Sequence, residues 1–338
     1  MAITNDTELQ VLSTIVGAPV VAFERAGWGF ENRTDIVTLA DGRRLVVQRL
    51  TRRAQARGRL RLARILPDRL APLGIRLPRQ LAASSVADPP YAVREHLGGA
   101  SAAAFMGDTA GAVAVASAMG ALLLRLQQAL TTGLRLPSSW ADASRLEQQA
   151  RRQLNRCRDM FDAATRRELA TTIDEVRGRF TARRACFGHG DFCPVNVLVE
   201  PTDHRPPTTD ADERELSDYR LQATGYGPIT QCAVRDMQGL CVVGLLDVDY
   251  ARVADPLFDA AWWGWVVRYH HPDRWIMAWP ELLRAAGIPV DQAMLGRVRV
   301  LQRLRCLEAV DDARQAGADA AIMWARRLHE TLDWEDGL

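Results

Sequence analysis

The chain has 338 residues, 48% hydrophobic and 25% charged, which supports a sizeable buried core and excludes a disordered or fibrous chain. Its length suits two domains, or two lobes around one cleft, and its formal net charge of +2 makes no case for nucleic acid or an anionic membrane as partner. All 43 basic residues are arginine, which excludes a P-loop ATPase, whose motif needs lysine, and Schiff-base chemistry on a side-chain amine.

The N-terminal residues MAITNDTELQ lack a basic segment followed by an apolar one, so no signal peptide is expected. The first hundred residues read as strands. Val20 to Glu24 is a short apolar run leading into Gly27-Trp28-Gly29-Phe30-Glu31-Asn32. Thr34 to Leu39 and Leu45 to Leu50 are β-rich, and Asp41-Gly42 between them predicts a hairpin turn. A strand, not a helix, follows the glycines, which argues against a dinucleotide fold. Residues 51–66 read as a helix, with nine arginines and no acid between Gly42 and Pro67. No base-reading aromatic stands beside them, so the reading is a solvated basic face. Tyr91 to His96 reads as another strand, and the lobe boundary is placed after it.

Beyond that point helices are expected over roughly 101–131, 141–158, 163–182, 256–270, 273–286 and 291–329. The apolar stretch Ala110 to Leu124 is shorter than the ~20 residues of a membrane span and reads as a buried helix. Val195 to Val199 and Cys241 to Asp247 are strand-like, and residues 201–238 between them read as an inserted surface loop. The six cysteines show no metal-binding spacing and are read as reduced thiols of a cytoplasmic protein.

Chemistry concentrates in Phe187-Gly188-His189-Gly190-Asp191-Phe192-Cys193-Pro194-Val195-Asn196 and in Gly244-Leu245-Leu246-Asp247-Val248-Asp249-Tyr250. If the two strands pair as a hairpin, Asn196 and Asp247 meet at one end. An amide and a carboxylate oxygen are hard ligands that suit Mg²⁺, which keeps further sites for water and phosphate. Asp191 stands at the mouth, poised for a substrate hydroxyl, and the upstream glycine loop can cover phosphates. That division of labour is the one phosphoryl transfer needs.

HGDxxxxN, followed by an apolar strand ending in Asp, resembles the aminoglycoside phosphotransferase and choline kinase family of protein-kinase-like small-molecule kinases. Ala254-Asp255-Pro256-Leu257-Phe258-Asp259-Ala260-Ala261 resembles the segment that follows the family's metal aspartate. The resemblance implies an α+β, two-lobed, protein-kinase-like fold. Residues 1–96 would form a mainly antiparallel β N-lobe, and 97–338 a larger helical C-lobe with the acceptor pocket. It implies Asp191 as general base and Asn196 and Asp247 as Mg²⁺ ligands. ATP or GTP would be met by Gly27, Gly29 and Phe30 and, at the hinge, by Glu95, His96 and Leu97. The family's strand lysine falls at Gln48 or Arg49, of which only one can face the cleft. Arg49 is preferred because it keeps the charge. The lysine's helix glutamate is missing: either Gln55 stands in for it or the ion pair does not exist. Candidate acceptor contacts are Asp249, Trp265 and the acidic group Glu308, Asp311 and Asp312, which share one helix face and would suit a polycation.

The expected function is Mg²⁺-dependent phosphorylation of a hydroxyl on a small molecule, an aminoglycoside-like or other antibiotic, giving resistance. Alternatives are a metabolic kinase for a sugar, a choline-like alcohol or an amino alcohol, and a nucleotide-binding pseudokinase-like module.

Overall fold

The computed structural model describes residues 5–26, 32–51, 53–180, 185–202, 239–315 and 317–334. The chain divides into two compact units, Met1–Ala104 with Val195–Asp249, and Phe105–Pro194 with Tyr250–Leu338.

The first unit is built on an antiparallel sheet of β1 (Val20–Arg25), β2 (Arg33–Leu39), β3 (Arg44–Arg49), β4 (Gln80–Ser84) and β5 (Tyr91–Glu95), in the order β1-β2-β3-β5-β4. Alternation sorts its side chains onto two faces. Val37, Leu39, Leu45, Val47 and Val93 point to one face and pack with Leu12 of helix α1 (Asn5–Val16). Leu50 and Ala92 point to the other and pack with Ala56 and Leu60 of helix α2 (Arg53–Leu70). Helix α1 and strand β4 add to the expected elements, because both are short and only weakly patterned. Helix α2 runs past Pro67 to Leu70, beyond the expected end at residue 66.

Completing this unit, β8 (Val197–Pro201) lies between β6 (Ala100–Ser101) and β9 (Leu240–Leu245). Val197 faces Leu245 and Pro201 faces Leu240, so the expected strand pair forms in antiparallel register.

The second unit is helical: α3 (Thr109–Leu126), α4 (Ala143–Arg156), α5 (Ala163–Arg179), α6 (Phe258–His270), α7 (Pro272–Ala285), α8 (Gln292–Arg314) and α9 (Ala318–Leu332). Asp108, Asp142, Asp162 and Asp291 cap the starts of α3, α4, α5 and α8 by accepting a backbone N–H three residues on. Among the described residues only α3 is long and apolar enough to cross a membrane, and most of it is buried inside the protein. Gly120 lets α3 approach α7 closely, since a Cβ there would come within 2.7 Å of Ala285 Cβ. The helix expected over 291–329 is broken: α8 ends at Arg314 and α9 starts after Gly317, whose φ of 142° suits only glycine. Cys157, Cys186, Cys193 and Cys306 are free thiols, whereas Cys241 is disulfide-bonded, against the expectation of reduced cysteines throughout.

Candidate active site

In the second unit the segment that carries Asp191 starts from a two-stranded ribbon, β7 (Cys186–Gly188) against β10 (Arg252–Ala254). Directly after β7, the backbone N–H groups of His189 and Gly190 donate to the Asp259 carboxylate at 2.6 and 2.9 Å. Asp259 opens α6 and is fully buried. Burial pushes its carboxyl up, against the lowering pull of His189 and these two N–H groups. Gly190 has φ 86°, and any Cβ would collide with the Tyr250 carbonyl. Buried His189 accepts the Asp191 N–H on Nδ1 at 3.3 Å. The turn is thereby locked, and it delivers Asp191 partly exposed, with Oδ1 accepting the Trp262 indole N–H at 2.8 Å.

A charged network underlies this loop. Glu308 accepts from Arg252 at 2.9 Å, from Trp140 at 3.2 Å and from Gln149 at 3.2 Å, and pairs with Arg305 at 3.1 Å. Burial opposes its ionisation, but Arg252 and Arg305 outweigh that and hold its pKa below the usual value. Burial likewise disfavours the Arg305 charge, yet Glu308, Asp191 and Asp312 together raise its pKa. The Arg305 guanidinium lies 4.9 Å from the Trp262 ring centre.

This arrangement corrects the expected acceptor wall. Glu308 is held by two arginines in the interior, and Asp311 makes a forked pair with Arg156 at 2.8 and 2.5 Å. Helical spacing placed the carboxylates on one face, but that face meets arginine, not an incoming polycation. Asp312 contributes to the same field. Trp265 is core: it stacks flat on Trp262 at 4.8 Å and donates to Thr331 at 2.8 Å. The indole that reaches Asp191 is Trp262, three residues earlier.

In the first unit Asn196 is buried at the start of β8, and its carbonyl accepts the Leu246 N–H at 2.8 Å. The hairpin therefore brings Asn196 beside the end of β9 and Asp247. Asp247 takes φ 53°, a left-handed conformation that costs most L-residues free energy but is less adverse for Asp. No group of three or more His, Cys, Asp or Glu among the described residues could hold a metal ion. One amide and one carboxylate of hard oxygens still fit Mg²⁺, which takes few protein ligands.

Strand β3 settles the choice between Gln48 and Arg49. Arg49 turns to the α1 face, where its guanidinium is held by Glu8 and, at 2.5 Å, by Asp35. The preference for Arg49 as the phosphate-side cation is overturned, because two buried carboxylates already occupy it. Gln48 shares the α2 face with Ala92, its partner across the ladder. At the expected hinge, Glu95 pairs with Arg76 at 2.6 Å, and Leu97 is buried against Gly244. His96 is half-buried, and burial followed by the nearby Arg44 lowers its pKa. Asp249, expected to meet the acceptor, is instead enclosed: its side chain is 1% exposed and flanked by Arg59 and Arg94. Gly27, Gly29, Phe30 and the Gln55 side chain lie outside the described residues.

Four contributors were not singled out as site residues: Trp262, Arg305, Arg59 and Arg94. Trp262 had a signal in the aromatic run of α6, but the spacing there could not say which ring faced Asp191. The arginines carried none among 43 of their kind.

A family model described as the phosphotransferase enzyme family matches residues 22–207, a span that includes Asp191 and Asn196. No curated protein sequence matches the chain. Among solved structures, the GDP complex of aminoglycoside 2'-phosphotransferase-IIIa is 13% identical, covers 98% of this chain and 99% of its own, and has a TM-score of 0.67. Macrolide 2'-phosphotransferase type I is 16% identical, with 99% and 100% covered and a TM-score of 0.64. Aminoglycoside phosphotransferase APH(3'')-Id from Streptomyces rimosus, in complex with ADP and streptomycin, is 17% identical, with 88% and 98% covered and a TM-score of 0.54. At such identities the likeness establishes the kinase-like α+β fold. With that fold and the family match in hand, the chain belongs to the phosphotransferase enzyme family and is a phosphotransferase.

Proposed function

We propose that this enzyme transfers the γ-phosphate of ATP or GTP to a hydroxyl of a small molecule, and that the acceptor is an antibiotic inactivated by O-phosphorylation in the cytoplasm. The observation that carries the reading is Asp191: a carboxylate with one oxygen fixed by Trp262, on a turn whose backbone is pinned by Asp259. Such a group can orient a hydroxyl and take its proton as the new P–O bond forms and the bond to the leaving diphosphate breaks. Little covalent chemistry is asked of the protein, so rigid placement of this carboxylate is its main contribution. Asn196 and Asp247 would hold Mg²⁺, which when bound neutralises charge on the β- and γ-phosphates. Residues 1–96 would supply the nucleotide contacts, with Glu95 to Leu97 along the purine.

Two proteins of similar fold act, by name, on aminoglycosides and on macrolides. Engagement of Glu308 and Asp311 by arginine favours the less cationic acceptor. A nucleotide-binding module without transfer is the second reading, favoured by an uncharged Gln48 on the strand face where a lysine was expected.

The test is Mg²⁺-dependent consumption of ATP and of GTP against aminoglycosides, macrolides, sugars and amino alcohols. Acceptor-stimulated turnover that vanishes in Asp191→Ala, with nucleotide binding retained, supports the proposal. Normal turnover by that variant sinks the base assignment. Asp247→Ala should lose metal-dependent nucleotide binding, and unchanged Mg²⁺ dependence would refute its role.

A further inference from the structure

The sheet face that packs on α2 carries the charged group of Arg94, Arg59 and Asp249. Arg94 of β5 lies opposite Val46 of β3, two residues from Gln48, so Arg94 and Gln48 are diagonal neighbours on one face. Arg94 is 8% exposed, and its Nη2 stands 3.7 Å from Asp249 Oδ1. Arg59 of α2 approaches the other oxygen of Asp249 at 3.5 Å. These separations make ion pairs but not hydrogen bonds. Among the described residues, buried Nε and Nη2 of Arg94 have no hydrogen-bond acceptor, and Oε1 of Gln48, itself 9% exposed, has no donor. A buried guanidinium with unmet N–H groups is costly unless an anion completes it.

We propose that Arg94 is the cation that holds the nucleotide's phosphates in this enzyme, positioned by Asp249 and Arg59, in place of the missing strand lysine and helix glutamate. The positive charge has moved one strand sideways, from β3 to β5. The carboxylate that orients it has moved from α2 to the segment after β9, two residues beyond Asp247. An arginine suits the post, since its planar fork can give two parallel hydrogen bonds to phosphate oxygens. Gln48 is then a neutral neighbour that leaves the phosphates to Arg94. The inference rests on the nucleotide-dependent reading above and assigns a residue within it.

The experiment compares affinities for ADP and adenosine by calorimetry with Mg²⁺, or for GDP and guanosine if the wild type prefers them. Arg94→Met should weaken diphosphate binding roughly 10- to 100-fold, the loss of one charge-assisted contact, and leave nucleoside binding unchanged. Adding Gln48→Lys to Arg94→Met should recover most of that loss, because it restores a cation two residues away on the same face. If Arg94→Met does not fold, Arg94→Lys serves: it keeps the pair with Asp249 but not the fork, so the diphosphate-to-nucleoside affinity ratio still falls. A ratio equal to the wild type's in a folded variant overturns the inference and leaves Arg94 a structural ion pair. Failure of the wild-type enzyme to bind either diphosphate would sink the nucleotide-dependent reading itself, and this assignment with it.

Discussion

Replacing Glu308 by alanine should be among the most damaging single changes outside the loop that carries Asp191. The side chain neutralises Arg252 and Arg305, both nearly buried, and also accepts from Trp140 and Gln149. Truncation leaves two interior guanidiniums without their carboxylate. Removing one partner of a buried pair costs about 3–5 kcal/mol. The second unit has about 180 residues, a size at which 1 kcal/mol moves the melting temperature by about 2–4 °C. Glu308→Ala should therefore melt roughly 6–20 °C below wild type, an estimate built from those two ranges. The pH dependence has a definite sign. Arg252 and Arg305 hold the Glu308 pKa below its ordinary 4.5, so its contribution is complete above that value. It is lost as pH falls through the lower folded-state pKa. Thermal unfolding followed from pH 7 into the acid range should show a full stability gap at neutrality that closes below pH 4.5. A gap under about 1 kcal/mol at pH 7, the worth of an exposed pair, would refute the reasoning. So would a gap that stays constant with acid.

Other consequences can be measured separately. Trp262→Phe removes the donor to Asp191 while keeping a ring against Trp265. Losing one hydrogen bond to a charged group, about 1.5–3 kcal/mol, should lower kcat roughly 10- to 100-fold with nucleotide KM little changed, and an unaltered kcat would show that the indole does not position the carboxylate. Gly190→Ala forces a methyl group into the Tyr250 carbonyl at a positive φ. It should destabilise the loop enough to abolish transfer, and a fully active Gly190→Ala enzyme would mean that the turn is not rigid.

The legible parts of this protein were those where pattern and chemistry coincide. Val195 to Val199 and Cys241 to Asp247 are short apolar runs, one beginning beside Asn196 and the other ending at Asp247, and they pair as expected. The phase of β3 was not legible. Gln48 and Arg49 are equally polar to the eye, and the deciding partner, Glu8, sits on a weakly patterned helix some forty residues earlier in the chain. The group Glu308, Asp311 and Asp312 shows the same limit. Helical spacing says which carboxylates share a face, but not whether that face meets solvent or a wall of arginine. Trp262 and Trp265 differ by less than one turn, and only the packing of α6 decided which one touched Asp191. The break at Gly317 was passed over because apolar and charged residues continue at helical spacing on both sides of it.

The two units are interleaved along the chain. The first is closed only when Val195–Asp249 returns to Met1–Ala104, and β6 cannot pair until β8 has been made, about a hundred residues later. During synthesis β6 must therefore wait without its partner strand while α3, α4 and α5 emerge. Such long-range closure is slow and leaves partly built surfaces exposed to aggregation. A fragment ending near residue 104 would be an incomplete unit, lacking its strand partners. Neither unit corresponds to a stretch of sequence that can be cut out and expressed whole.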